Sequence, residues 1–304
     1  MSAAGLTEAD RLRHHGWGLL LAAVGAVAFS GKAIIVKLAY RHGVDAVTLI
    51  MWRMLFALPF FMAIAWWAGR GKPRLSGRDL RMVAALGFSG YYLSSFLDFL
   101  GLQYVTASLE RLILYLNPTI VLLLTWVVTG RRVKLKQLMA MALSYAGVLV
   151  VFGHEVQWGG WQVLPGVGLI FISAITYALY LVYSGEEVQR LGALRLTGWA
   201  SGFASLFCIL QFLVVRPLEA AWQVDPVVIQ LSLLNATACT VLPVLLVMLA
   251  IARVGAAASA QAGMVGPLST VALGAWILNE PFNEWVLAGA ALVLSGVWLL
   301  ARAR

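Results

Sequence analysis

Of 304 residues, 62% are hydrophobic and 12% charged, against about half and a quarter in a soluble globular domain, which excludes a soluble fold and places the chain in a bilayer. The net charge of +9 then bears on orientation rather than on nucleic acid, because in a membrane protein the position of each Lys and Arg matters more than their sum. The only cysteines, Cys208 and Cys239, both fall in apolar runs, so they read as small apolar filler and not as a disulfide framework.

The polar start, Met1–His15, is followed by an apolar run too long for a signal peptide, so a retained first helix opens near Trp17. Apolar runs punctuated by Gly, Pro and charge predict spans at 17–39, 44–68, 80–101, 104–129, 135–152, 163–184, 196–215, 227–251, 255–278 and 283–301. With the N-terminus inside, sixteen basic residues fall on cytoplasmic segments, including Arg70, Lys72, Arg131, Arg132 and Arg190, whereas the opposite loops hold only Arg41 and Arg216. The positive-inside rule therefore puts both termini in the cytoplasm. Trp66 and Trp67 end the second span, and Trp158 and Trp161 lie in the loop after the fifth, where interfacial aromatic belts form.

The ten predicted spans divide at His154–Gln162, giving a first half 1–153, a periplasmic linker 154–162 and a second half 163–304. A shift of 149 residues superposes the ends of the halves without a gap: Pro118 meets Pro267, Val105 meets Val254, Leu138 meets Leu287, Leu143 meets Leu292 and Gly147 meets Gly296, while Gly18-Leu19 meets Gly168-Leu169 at 150. Because five is odd, the two halves are expected to be inverted, an architecture that secondary transporters use to open a central site to either side in turn.

Several local sequences also resemble a known family: Leu116-Asn117-Pro118 in the fourth span, Val254-Gly255-Ala256-Ala257-Ala258-Ser259 and Val265-Gly266-Pro267 in the ninth, and Leu278-Asn279-Glu280-Pro281 after it. Over essentially the whole chain this is similar to the EamA family of the drug/metabolite transporter superfamily, and within it to bacterial exporters of aromatic amino acids. The resemblance implies an all-α, basket-like bundle of ten helices around a central cavity in a bacterial inner membrane. The family tends to repeat an acidic residue after the fourth span, whereas Arg131 stands at the position matching Glu280.

Ionisable groups inside spans are costly enough to be read as functional. Lys32, Lys37, Arg53, Asp98, Glu110 and Arg111 all lie in the outer halves of their spans. At about 1.5 Å rise per residue, Lys32, Asp98 and Arg111 share a depth, so Asp98 is expected to pair with one base and Glu110 with the other. Lys37 is expected to snorkel outward. The bases outnumber the acids, leaving a positive excess that suits a carboxylate.

Nearer the midplane, Phe29, Ser30, Tyr91, Tyr92, Ser95, Tyr115, Ser173, Tyr177 and Tyr180 combine flat apolar rings with hydroxyls, and Asn235 adds an amide. Tyr91, Ser95 and Asp98, like Ser173, Tyr177 and Tyr180, are spaced i, i+4, i+7 and so share one helical face; interhelical packing is the ordinary alternative for each. Pro118, Pro243 and Pro267 should bend spans four, eight and nine.

No HExxH, GxxxxGK[ST] or GxSxG motif occurs, which leaves neither ATP-driven transport by this chain nor hydrolase chemistry with support. The sequence thus reads as a transporter that exports amino acids, aromatic ones first, by alternating access, with a broad metabolite or drug exporter as the alternative and an intramembrane enzyme or receptor far behind. It calls for no cofactor and no metal; the expected partners are a small-molecule substrate and the lipid bilayer, with no nucleic acid, and the chain is expected to act as a monomer.

Overall fold

A computed structural model describes residues 8–130 and 133–302, with side chains placed from His15 onward apart from Thr129, Ala256 and Ala257. Arg131, Arg132 and Arg304, which enter the charge and repeat readings, lie outside the described residues. The described chain is helical throughout: α1 (Glu8–Tyr40), α2 (Ala46–Gly69), α3 (Gly77–Gly87), α4 (Ser94–Gly101), α5 (Ala107–Leu114), α6 (Asn117–Thr129), α7 (Leu135–Gly159), α8 (Val163–Leu191), α9 (Ala193–Val215), α10 (Pro226–Ala236), α11 (Leu242–Ala262), α12 (Val265–Leu278) and α13 (Glu284–Arg302). Intrahelical bonding satisfies the backbone of so apolar a chain in hydrocarbon without any partner strand. Starts are marked by side-chain acceptors where the sequence supplies them: Asp45 caps α2, Ser76 caps α3, Thr106 caps α5 and Asp225 caps α10.

Nine helical stretches among the described residues are long and apolar enough to cross a membrane. One of them, Leu135–Leu191, runs 57 residues, well over twice the roughly 20 that a single crossing needs, and Gly160 (φ 69, ψ −172) interrupts it between α7 and α8. The helices outrun the apolar runs: α1 begins at Glu8, α7 continues through the expected linker to Gly159, and α8 continues to Leu191. Hydropathy marks where a helix stops being apolar, not where its hydrogen-bond ladder ends.

The repeat is written into the backbone. At the same shift of 149, positive-φ Gly43 pairs with Gly192, the cap Ser76 with Asp225, and the left-handed helix end Gly130 with Asn279. A π-helical turn at Phe88–Leu93 has its counterpart at Thr237–Val241. Breaks fall at Tyr115–Leu116 and, within one residue of register, at Gly263–Met264. Pro118, Pro243 and Pro267 each sit in the first turn after a break or π turn, where a missing N–H costs least. Pro59 lies inside α2.

Packing shows how the halves meet. A Cβ at Gly147 would lie 2.6 Å from the Gly289 carbonyl, and one at Gly296 would lie 2.6 Å from that of Ala140. Since 140 and 289 are themselves repeat partners, α7 and α13 cross about a local two-fold, and the falling numbers on one helix against rising numbers on the other make them antiparallel. Gly198 against Ala65 and Gly202 against Met62 show α2 and α9 antiparallel in the same way. Repeat partners that run oppositely are the signature of inversion. The first helix of each half packs into the other half, α1 on α11 and α12, and α8 on α4 and α6.

Candidate functional site

Between the halves lies a cavity of about 410 Å³. Of the residues singled out in the sequence, Phe29, Tyr91, Ser95, Tyr115, Ser173 and Tyr177 line it, together with Lys32, Arg53, Asp98 and Arg111. Ser30, Tyr92, Tyr180, Asn235 and Glu110 are not among its lining residues. Ser30 is buried and donates to the Gly266 carbonyl at 2.7 Å, Tyr92 packs among Phe88, Phe96 and Phe207, and Asn235 donates to the Lys32 carbonyl at 3.4 Å. Tyr180 stands behind the wall, its ring edge-on to Tyr91 and its hydroxyl 3.1 Å from that of Tyr91. The i, i+4, i+7 spacing does mark a shared face, but burial along α8 grades from Tyr177 at the cavity to Tyr180 in the core.

The wall also contains residues to which the sequence gave no binding role: Ser94, Asn117, Thr197 and Ser201. Ser94 joins Ser95 on the lining just past the π turn, and its hydroxyl lies 3.1 Å from that of Ser173. Asn117 donates to the Leu114 carbonyl, while its Oδ1 meets no donor; its place between the break and Pro118 was the available signal. Thr197 and Ser201 share a face of α9 at i, i+4.

The charges are distributed differently from the expected two pairs. Both carboxylates converge on one base: Lys32 Nζ is 2.6 Å from Asp98 and 3.1 Å from Glu110. Asp98 and Glu110 sit on α4 and α5, whose approach at similar depth lets a single ammonium on α1 bridge them, so neither guanidinium is needed. Arg53, 3% exposed, therefore lies with its guanidinium 4.6 Å from the Phe99 ring centroid and its Nε without a partner. Arg111 lies over Tyr115 at 5.5 Å, its Nε also unpartnered. Neither arginine has a carboxylate within ion-pair distance among the described residues.

Lys37 does not snorkel outward. Its Nζ donates to the Val105 carbonyl at 2.5 Å and stands 4.0 Å from Glu280. A second chamber of about 250 Å³ adjoins the first, sharing Phe29, Arg111, Tyr115 and Val247 with it and bounded beyond them by small residues such as Ala22, Ala26, Ala260 and Gly263. Both cysteines are buried, and Cys239 lines the main cavity. Among the described residues no cluster of His, Cys, Asp and Glu has the make-up of a metal site.

A two-repeat helical chain with a polar-aromatic cavity between its halves has relatives. Its residues 16–153 and 164–302 each match the model of the EamA-like transporter family. Uncharacterized transporter YcbK of Bacillus subtilis is 29% identical over 285 residues, covering 90% of this chain and 89% of the relative. Uncharacterized transporter YetK of the same organism is 27% identical over 93% of this chain and 86% of its own, and an uncharacterized transporter of Archaeoglobus fulgidus is 24% identical over 92% and 96%. A solved crystal structure, 17% identical, superposes with a TM-score of 0.62 over 94% of this chain and 97% of that one, a likeness of fold. With both halves matched by the family model, the chain belongs to the EamA-like transporter family.

Proposed function

We propose that this transporter exports amino acids, aromatic ones foremost, by exposing the central cavity alternately to the two sides of a bacterial inner membrane. The supporting observation is that Arg53 and Arg111 line a tyrosine-walled cavity with no carboxylate of their own. A buried cation without a counter-ion is costly, and a substrate carboxylate supplies one. Asp98 Oδ1, which no donor reaches, takes the α-amino group, and the faces of Tyr91, Tyr115 and Tyr177 stack on the side chain. The 57-residue stretch is two crossings hinged at Gly160, which makes ten in a basket around the cavity. The sixteen-to-two bias of basic residues puts both termini in the cytoplasm, and the chain works as a monomer because both halves of the cavity are in it.

Counterflow of labelled tryptophan, phenylalanine and threonine into proteoliposomes tests this reading, with tryptamine and indole-3-propionate as competitors. Saturable uptake that neither one-charge analogue inhibits as tryptophan does is expected; no uptake of any amino acid would sink the cargo. The adjoining 250 Å³ chamber favours a second reading, a broader metabolite or drug exporter, and competition by bulky compounds lacking a carboxylate would select it.

A further inference from the structure

The two ends of the cavity are held in different ways. At one end the turn after α12, folded back by left-handed Asn279, brings Glu280 onto the start of α5, where it accepts from the Ala107 and Ser108 amides at 2.8 and 3.3 Å and from the Ser108 hydroxyl at 3.2 Å. These amides are among the donors that a helix start leaves free, and a carboxylate there also meets the positive end of the helix dipole. Glu155 on α7 accepts from the Thr106 amide at 3.3 Å and from its hydroxyl. Lys37 on α1 holds the carbonyl of Val105, one residue earlier. Side chains from both halves thus fasten one helix start, and that helix carries Glu110 and Arg111 a turn further in.

The repeat supplies the comparison at the other end. Shifted by 149, Thr106 becomes Gly255, Ser108 becomes Ala257 and Glu280 becomes Arg131; none of these three keeps a hydroxyl or carboxylate, and Lys37 becomes Glu186. The layer beneath changes likewise, because Asp98, Glu110 and Arg111 correspond to Val247, Ser259 and Ala260, which border the 250 Å³ chamber. A charge network fills one end, and at the other the equivalent space is empty.

We propose that Glu280 is a positioning residue that latches α5 and biases the transporter toward the state in which the cavity is sealed at the Lys37–Glu280 end and reachable from the end where α2 meets α3 and α8 meets α9. Exposure to the sealed side requires the α5 amides to leave Glu280; at the opposite end the halves are joined instead by Arg190 on Asp79 and by Lys72 and Arg195 on the carbonyls of Leu191 and Pro73, none of them at the helix start that matches α5. This rests on alternating exposure and is independent of the cargo.

Cys239, which lines the cavity, is a native reporter once Cys208 is replaced by Ser. Its labelling by a membrane-impermeant thiosulfonate is followed in right-side-out and inverted vesicles holding the full chain. The unaltered latch should give labelling from the α2–α3 face only, and Glu280→Gln should raise the rate from the opposite face roughly tenfold. Arg131→Glu, which restores an acid at the matching position, should slow labelling from the α2–α3 face. Equal labelling from both faces without either change overturns the latch, as does a Glu280→Gln protein that elutes as a monodisperse peak with both rates unmoved. If Glu280→Gln fails to accumulate, unchanged rates in Arg131→Glu overturn it instead. No substrate enters the assay, so a failed counterflow leaves the latch standing and a failed latch leaves the amino acid reading standing.

Discussion

The two halves share a backbone but not a chemistry. Caps, π turns and left-handed helix ends recur at a constant shift, breaks recur within one residue of it, and repeat-partner helices cross antiparallel. The residues at the equivalent positions are nevertheless unlike: Lys32, Arg53, Asp98, Glu110 and Arg111 correspond to Leu181, Gly202, Val247, Ser259 and Ala260. Backbone irregularity is what two exchangeable conformations have in common, so it is duplicated. A binding site is needed once, and its charges are confined to the first half. If the cavity opens alternately as proposed, the symmetric backbone belongs to the motion, and the asymmetric side chains belong to what is bound and to which state rests.

The largest expected effect follows from removing the cation that only the first half has. Lys32→Met leaves Asp98 and Glu110 buried side by side without their ammonium, at a cost of about 3–5 kcal/mol, whereas Leu181→Met at the matching position of α8 should be nearly neutral. Thermal unfolding in detergent measures both, and adding Asp98→Asn and Glu110→Gln to Lys32→Met should recover part of the loss. Next is a test of the shared backbone. Gly147→Ala and Gly296→Ala each drive a Cβ into a backbone carbonyl of the partner helix, so each should cost about 1–3 kcal/mol, and by the local two-fold they should cost alike. A clear inequality would show that the crossing is symmetric in sequence only.

A smaller effect on stability but a larger one on transport is expected at Arg53. Without a carboxylate partner to strand, Arg53→Gln should leave unfolding almost unchanged while raising the KM for a carboxylate-bearing substrate by roughly 10- to 100-fold, the weight of one or two charge-assisted hydrogen bonds. An unaltered KM with intact folding would remove Arg53 from the binding site.

Much of this arrangement was legible in the sequence because it depends on local signals. Apolar length predicted ten spans where nine long apolar stretches occur among the described residues, one of them covering two of the predicted spans, and the register of Pro118 with Pro267 marked the repeat. The spacing of Tyr91, Ser95 and Asp98 marked a cavity face. The π turns were not legible, since Phe88–Leu93 and Thr237–Val241 contain no proline and differ from each other in every residue. Nor was the sharing of Lys32, because which of several bases two acids choose depends on how close α1, α4 and α5 come. Glu155 was missed, and Glu280 stood out only as part of a family motif and not as a helix-start acceptor, for a related reason. Each stands near a span end, where a carboxylate ordinarily faces water, and their burial arises from contacts 49 and 173 residues away in sequence.

The finest difference between the halves concerns their matched caps. Ser76 starts α3 with a hydroxyl that does not titrate near neutral pH, while its partner Asp225 starts α10 with a carboxylate. The Val227 amide at 2.9 Å and His42 at 2.7 Å both donate to Asp225 and hold its carboxyl below the ordinary 3.8. A carboxylate whose value is lowered on folding adds stability above its unfolded value and loses it as pH falls through the folded one. Asp225→Asn keeps an acceptor for the helix start but removes the charge. It should therefore lower the unfolding midpoint by about one or two degrees near neutral pH, and the gap should close as the pH falls through the lowered folded value of Asp225, where both proteins carry a neutral cap. Ser76→Asn, the matched change in the first half, should show no such closing; a gap at Asp225 that persists into acid would mean the cap works by geometry alone in both halves.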